Sequence, residues 1–546
     1  MQSRFRKRGN ARTLILERTF MEILIRNGWI LDGSGNRAYA ADIGISDGKI
    51  VLQNLPKTAD LVIDAAGKYI APGFIDVHSH GDELIGSGDF GDLCKVNQGI
   101  TTQITGQCGM SLAPSSHAHR FQTLVPPESI NPQLLRMNRD GLSWQDYMVY
   151  LKNTPKVTHI KPFVGYNAIR VAVMGYEDRK PTPEEMAQMK QLLRQAMEAG
   201  AAGMSSGLAY VPATYSTTEE LVELAKVMAP YGGIYTSHIR NESHNLLESV
   251  EEAIAIGRQA GVSVNISHFK IMGRMNWGKH TAAVLAIAQA RAEGLDITCD
   301  QYPYHSSMTI FSPCIPPWHF SDGLPTLLEK LKSPQFRETV KAEILNPDTD
   351  YENFYLNSGG WDGITICTSP KVPQAEGKTI AAYAQDIGKD PFDAYFDLVL
   401  ANEGDGTATY HAISDDDIAD IIQLPYVMVG SDGIVGSPTE KCHPRGWGTM
   451  VKAICTFTKE QPILILETLV HRITGFPAQR YRLTGKGIIR EGFDADLVIF
   501  DYEALTNRAT YANPTALAEG IDFVLIDGKI VYRDGRLTGE KPGRLL

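Results

Sequence analysis

No stretch of the sequence stays apolar for the roughly 18 residues that a membrane-crossing helix needs, so no membrane span is expected. Positive charge is also short: 52 Lys and Arg stand against 63 Asp and Glu, for a formal net charge of -11. Nucleic acid selects basic surfaces, so no such partner is expected. Cysteine is scarce, with seven in 546 residues at irregular spacings. An odd, scattered set argues against a disulfide framework and for reduced thiols, hence a cytoplasmic chain. Internal repeats, coiled-coil heptads and low-complexity tracts are missing too, which excludes solenoid and fibrous architectures. What is left is ordinary globular composition, 43% hydrophobic and 21% charged, in a chain long enough for one barrel with an appended module. The partner such a chain implies is a small-molecule substrate; an oligomer is left open.

The first twenty residues, MQSRFRKRGNARTLILERTF, are basic, and their apolar part is only Leu14-Ile15-Leu16. That is too short for a secretory core. Residues 1–20 are expected to be a disordered N-terminal extension, with a transit role as the alternative, and Met21 opens the first structured pattern. From there to residue 72, EILIRNGWILDG, ADIGISDGKIVLQ and LVIDAAGKYIAPG combine β-branched residues with Asn-Gly and Asp-Gly pairs. Such runs read as short antiparallel strands and tight turns. The same texture returns at 480–546 in GKGIIREGFDADLVIFD and DFVLIDGKIVYRDGR. The two chain ends are expected to build one small β-sandwich.

Over 73–479 the texture alternates. Eight short apolar runs, from Phe74-Ile75-Asp76-Val77 to YVMVGSDGIV, are separated for the most part by amphipathic stretches such as PEEMAQMKQLLRQAMEAG and NLLESVEEAIAIGRQAG. Eight such units predict an α/β fold, a (β/α)8 TIM-like barrel with its site at the C-terminal strand ends. The interval from about His305 to Gln423 is too long for an ordinary connection and reads as an insertion after strand seven, placed over the barrel mouth.

The predicted strand ends carry chemistry. Strand one runs into His78 and His80 within APGFIDVHSHGDE, strand two ends in Cys108, strand five in His238, strand six in His268 and strand eight in Asp432. Imidazoles at i and i+2 leave a strand in the same direction, whereas His117, His159 and His471 scatter elsewhere. Taken singly, these residues also read as a buried thiol, core histidines or a turn aspartate. Six metal-competent side chains at strand ends of one barrel point instead to a metal site. Asp432, in Gly430-Ser431-Asp432-Gly433, supplies the carboxylate that a general base beside a divalent cation needs.

These residues resemble the amidohydrolase superfamily, whose pattern is matched by PGFIDVHSH, by a histidine on strand five, by another on strand six and by an aspartate on strand eight. Within it, GITTQITGQCG, SSGLAYVP, TSHIRNE, SHFK, DQYPY, GSDG and HPRGWGTM are similar to motifs of the N-acyl-D-amino acid deacylases, or D-aminoacylases. The similarity runs from Met21 to the C-terminus, although Gln107 stands where that family usually has asparagine. The resemblance implies a tight zinc on Cys108, His238 and His268, and a second, weaker position at His78 and His80 within reach of Cys108 and Asp432. It implies hydrolysis of the amide of N-acyl-D-amino acids, with Asp432 as the catalytic base and then acid. The free carboxylate of such a substrate needs partners, for which Lys270, two residues after His268 on the same strand face, Tyr210, Tyr302 and Arg445 are the candidates. AAGMSSGLAY contains no lysine, which argues against the carboxylated-lysine site of hydantoinases. The alternatives are a D-specific dipeptidase, a hydantoinase-like cyclic-amide hydrolase, and a non-catalytic interaction protein on the same fold. The preferred substrate side chain is not legible.

Overall fold

The computed structural model describes residues 21–118, 124–125, 127–348, 350–435, 437, 441 and 443–546. The extension expected at 1–20 lies outside the described residues. The architecture is mixed α/β. Each of the eight apolar runs carries a strand: Phe74–Asp76, Ile100–Thr105, His159–Pro162 with Val164–Gly165, Gly203–Gly207, Ile234–His238, Ser263–Ile266, Ile297–Gln301 and Val427–Val429. All pairings among them are parallel. The first three runs form one sheet and the remainder another, with Val164–Gly165 at the edge of the second and a parallel bridge between Ser79 and Gly433.

The helices between these strands begin and end where the sequence provides caps. Thr182 and Glu185 form a reciprocal capping box at the start of Pro183–Glu198, which satisfies two donors that a helix N-terminus otherwise leaves open. Leu246–Ala260 stops at Gly261, whose φ of 69° is the left-handed turn that glycine adopts without steric cost. Among the described residues no helix is long and apolar enough to cross a membrane.

The strands at the two chain ends are joined in a single nine-stranded sheet. Leu497–Phe500 pairs antiparallel with Tyr69–Pro72 and so stitches the C-terminal strands onto the N-terminal ones. Ile25, Ile45, Ile70, Ile499 and Leu525 belong to a buried cluster of this sheet's own. The last residues leave it. Leu546 N donates to Ile160 O at 2.9 Å, on the His159–Pro162 strand, and Gly543 N to Lys156 O at 3.0 Å, just before it, which satisfies backbone carbonyls left open there.

Between Gln301 and Val427 lie the antiparallel strands Ser307–Ile310, Thr407–Tyr410 and Ile364–Thr368, together with several helices. The helix expected over GLPTLLEKLKSPQFRETVKAEIL is two, Leu324–Lys330 and Pro334–Leu345. Ser333 caps the second by accepting from Phe336 N, and Pro334 can begin a helix but not continue one.

Candidate metal centre

His238 is the last residue of the Ile234–His238 strand, whereas four other donors sit just beyond theirs. Strand hydrogen bonding ends at Asp76, Thr105, Ile266 and Val429, two or three residues before His78, Cys108, His268 and Asp432. Cys108, His268 and Asp432 have φ of 54°, 35° and 49°. A side chain in this region costs about 1–3 kcal/mol, and such strain gathers where function requires it. Gly109, φ 73°, lets this turn close, since a Cβ there would strike Asn167 Oδ1.

These turns aim the donors at one point. Cys108 Sγ lies 3.3 Å from His78 Nε2 and 3.4 Å from His268 Nε2. Asp432 Oδ1 lies 3.3 Å from His78 Nε2 and 3.1 Å from His80 Nε2. One ligand atom from each of His78, Cys108, His268 and Asp432 falls within 4.8 Å of the others. The ring of His238 meets that of His268 edge-on at 4.4 Å. Both nitrogens of His238, and Nδ1 of His80, are buried without a hydrogen-bond partner. Buried polar atoms normally have partners, so a cation fits these residues, and a borderline set of imidazole, thiolate and carboxylate suits zinc.

A second layer fixes the first. Asp300 Oδ1 accepts from His78 Nδ1 at 3.1 Å and from the backbone N of His268 at 2.8 Å, while Asn265 Nδ2 holds the other oxygen at 2.7 Å. This leaves His78 Nε2 facing Cys108, as a ligating imidazole requires. Glu242 lies 2.9 Å from His268 Nδ1 and 2.6 Å from Lys270 Nζ. Asp76 accepts from Lys95 Nζ at 2.9 Å and from Ser431 N and Oγ at 2.8 and 2.6 Å, tying the first strand end to the last. The sequence reading singled out none of Asp300, Glu242 and Asp76 as site residues. Glu242 and Asp300 lie inside the motifs TSHIRNE and DQYPY, which is the only signal that could have found them.

Burial sets the charge states. It lowers His238 and His268 well below the ordinary imidazole range, and the neighbouring cations add to the effect. Both rings are therefore neutral, the form that ligates. Burial pushes the Cys108 thiol up to about 11, partly offset by His78. Burial also lowers His78, but Asp300, Cys108 and Asp432 outweigh it and hold the ring well above its ordinary value. For Asp432 burial is outweighed by Arg445 and His78, with a hydrogen bond from His80, so its carboxyl stays well below the usual range.

The expected substrate partners surround the same point. Arg445 Nη1 is 2.7 Å from Asp432 Oδ2. The Tyr302 ring is approached by two cations, its centroid 4.8 Å from Arg445 and 5.7 Å from Lys270, and its Oη is buried without a partner. Lys270, expected as a partner of the substrate carboxylate, is buried and engaged by Glu242. The Tyr210 ring packs 4.8 Å from that of His238 and also stands in the wall of a cavity of about 1050 Å³.

The description of the amidohydrolase family matches residues 61–311 and 376–532. The chain belongs to the amidohydrolase family. This amidohydrolase is 32% identical to the D-aminoacylase of Alcaligenes xylosoxydans xylosoxydans and 33% identical to its N-acyl-D-aspartate deacylase, in each case over 96% of this chain and 97% or 95% of the relative. The crystal structure of the N-acyl-D-glutamate deacylase of Bordetella bronchiseptica, complexed with zinc and a phosphonate that mimics the reaction's tetrahedral intermediate, superposes with a TM-score of 0.79. It is 32% identical, over 96% of this chain and 99% of that one.

Proposed function

We propose that the chain is a zinc-dependent deacylase that hydrolyses the amide of N-acyl-D-amino acids to a carboxylate and a free D-amino acid. The observation that carries this reading is the seating of Cys108 Sγ between the Nε2 atoms of His78 and His268, at 3.3 and 3.4 Å, in a chain 32 to 33% identical to deacylases over 96% of its length. The six described cysteines are free and buried, in keeping with a cytoplasmic setting.

The scaffold we infer is a (β/α)8 barrel over 73–479 carrying the insertion at about 305–423, with 21–72 and 480–546 as the appended β module bent over its own core. Supporting closure, only Phe163 separates the two parallel sheets at His159–Pro162 and Val164–Gly165, and Ser79 bridges Gly433 at the other seam. Ile75, Ile104, Phe163, Ile234 and Met428, drawn from separate strands and their immediate continuations, share one buried cluster, as the interior layers of a barrel do.

Cys108, His238 and His268 would hold zinc tightly, and His78 and His80, with Cys108 and Asp432, would form a second and weaker position. Bound there, zinc polarises the amide carbonyl as a Lewis acid and lowers the pKa of a water toward neutrality. Asp432, ionised at neutral pH, takes the proton of the attacking water and returns it to the leaving nitrogen, which would otherwise depart as an anion. Arg445, Lys270, Tyr210 and Tyr302 receive the substrate carboxylate, for which the unpartnered Tyr302 Oη is a ready donor. A carboxylate at Arg445 competes with Asp432 for the guanidinium and so leaves Asp432 freer to act as base.

Purified, zinc-loaded protein is expected to release D-methionine from N-acetyl-D-methionine while leaving N-acetyl-L-methionine and hydantoin intact. Hydrolysis of hydantoin without release of D-methionine overturns the reading.

A further inference from the structure

The cavity of about 1050 Å³ beside the metal centre has one wall made by Met110, two residues after Cys108, and by Tyr210. The facing wall comes from the insertion, with Ile315, Leu324 and Tyr351 among its apolar members. Its charged lining is unbalanced: Glu248, Glu252, Asp350, Glu352 and Asp405 face only Arg139 and Arg240 among the described residues. Four of the five N–H donors of Arg240 are engaged, Nε and Nη2 on Glu252 at 3.0 and 2.9 Å, Nη1 on Thr214 O at 2.9 Å and Nη2 also on Ser216 O at 3.1 Å. Arg139 is exposed. An acidic wall alone says little, because exposed carboxylates are satisfied by water. Glu352 is different. It is only 5% exposed, its Oε1 accepts from Glu242 N at 2.8 Å, and its Oε2 has no partner. Burial and the neighbouring Glu242 push its carboxyl up to about 8, so near neutral pH it carries a proton, and its open, buried Oε2 costs free energy that a cation displacing that proton, or a polar partner, would recover.

We infer that this cavity receives the side chain of the substrate, that Glu352 accepts from a donor or cation at the end of that side chain, and that acidic side chains are rejected. The inference rests on the deacylase reading. Arg445 and Lys270, the cations suited to the substrate's own carboxylate, do not line the cavity. Two relatives are named for different amino acids, D-aspartate and D-glutamate, and neither for a particular acyl group, so the wall that discriminates is expected to face the side chain. An acidic side chain would enter a cavity whose charged lining is mostly acidic and would meet no cation there beyond the exposed Arg139 and the Glu252-paired Arg240. Glutamine, lysine or a plain apolar chain meets no such opposition.

The test compares kcat/KM of the zinc-loaded enzyme for N-acetyl-D-glutamine and N-acetyl-D-glutamate, which share a shape and differ in charge. N-acetyl-D-lysine and N-acetyl-D-methionine complete the set. Glutamine is expected to exceed glutamate by at least about tenfold, and Glu352→Gln to lower the lysine-to-methionine ratio by about tenfold, the loss of one charge-assisted hydrogen bond. Glutamine at 352 keeps an oxygen for Glu242 N, so a purely structural role for Glu352 would leave that ratio unmoved. Glutamate equal to or above glutamine overturns the inference, as does an unchanged lysine-to-methionine ratio in a Glu352→Gln protein that melts at the parental temperature. If that variant does not fold, the glutamine-to-glutamate comparison in the parent decides alone. Absence of turnover on all four substrates defeats the deacylase reading itself and the cavity assignment with it, and is thereby distinct from turnover with the wrong preference.

Discussion

Asp432 makes two contacts that pull in one direction: Arg445 at 2.7 Å and His80 at 3.1 Å both favour its charged form. In the proposed chemistry that charge accepts the proton of water, which Asp432→Asn cannot do. The variant is expected to retain zinc, since Cys108, His238 and His268 are untouched, while kcat for N-acetyl-D-methionine falls by about 10³, within the range of general acid–base contributions. Turnover within tenfold of the parent contradicts the role. Lys270 makes a different case. Its ammonium and the Glu242 carboxylate are buried 2.6 Å apart, so Lys270→Met strands a charge and is expected to cost about 3 kcal/mol in denaturant unfolding as well as to raise KM. Lys270→Met with Glu242→Gln should recover most of that stability but not KM; a double variant no more stable than Lys270→Met contradicts the pairing. Residue type and strand-end position made His78, His80, Cys108, His238, His268 and Asp432 candidates in the sequence, and the structure brings them together. Asp300 and Glu242 were not singled out, because a supporting role depends on which face a turn presents, and a residue's identity does not carry that.

Between elements, the join of the nine-stranded sheet to the His159–Pro162 strand rests on a buried cluster of charge. Lys486 Nζ lies 2.6 Å from Asp496 and 2.9 Å from Asp494, and His159 Nε2 lies 3.3 Å from Asp496. Burial would raise the Asp496 carboxyl, but His159 and Lys486 outweigh it and hold it below the ordinary carboxylate range. A group so depressed stabilises the fold above its unfolded pKa, near 4, and that stability is lost as pH falls through the lower folded value. Asp496→Asn is thus expected to be less stable than the parent by about 3 kcal/mol at pH 7, with the gap unchanged down to about pH 5 and shrinking below about pH 4. A gap that widens on acidification, in melts across that range, contradicts the linkage. Strand texture at both chain ends was plain from β-branched runs and Asn-Gly or Asp-Gly turns. That all nine strands share one ladder was not, because pairing across more than 400 residues depends on partners that no local pattern names. The break at Ser333-Pro334 was legible as turn chemistry and was overrun by the helical period on either side.

For the whole molecule, the alternation of strand and helix could be read in advance, since hydrophobic period is a property of the chain. The cavity could not, because its walls come from segments as far apart as Met110 and Asp405. The central claim is that the chain is a zinc deacylase whose metal depends on Cys108. The measurement that tests it most directly is zinc content and N-acetyl-D-methionine hydrolysis, followed together as chelated protein is titrated with zinc, for the parent and for Cys108→Ser. The expected result is a parental activity that is absent after chelation and rises with the first bound equivalent, and a variant that neither retains that equivalent nor regains turnover. Full activity in the chelated parent, or undiminished zinc retention and turnover in Cys108→Ser, would contradict it.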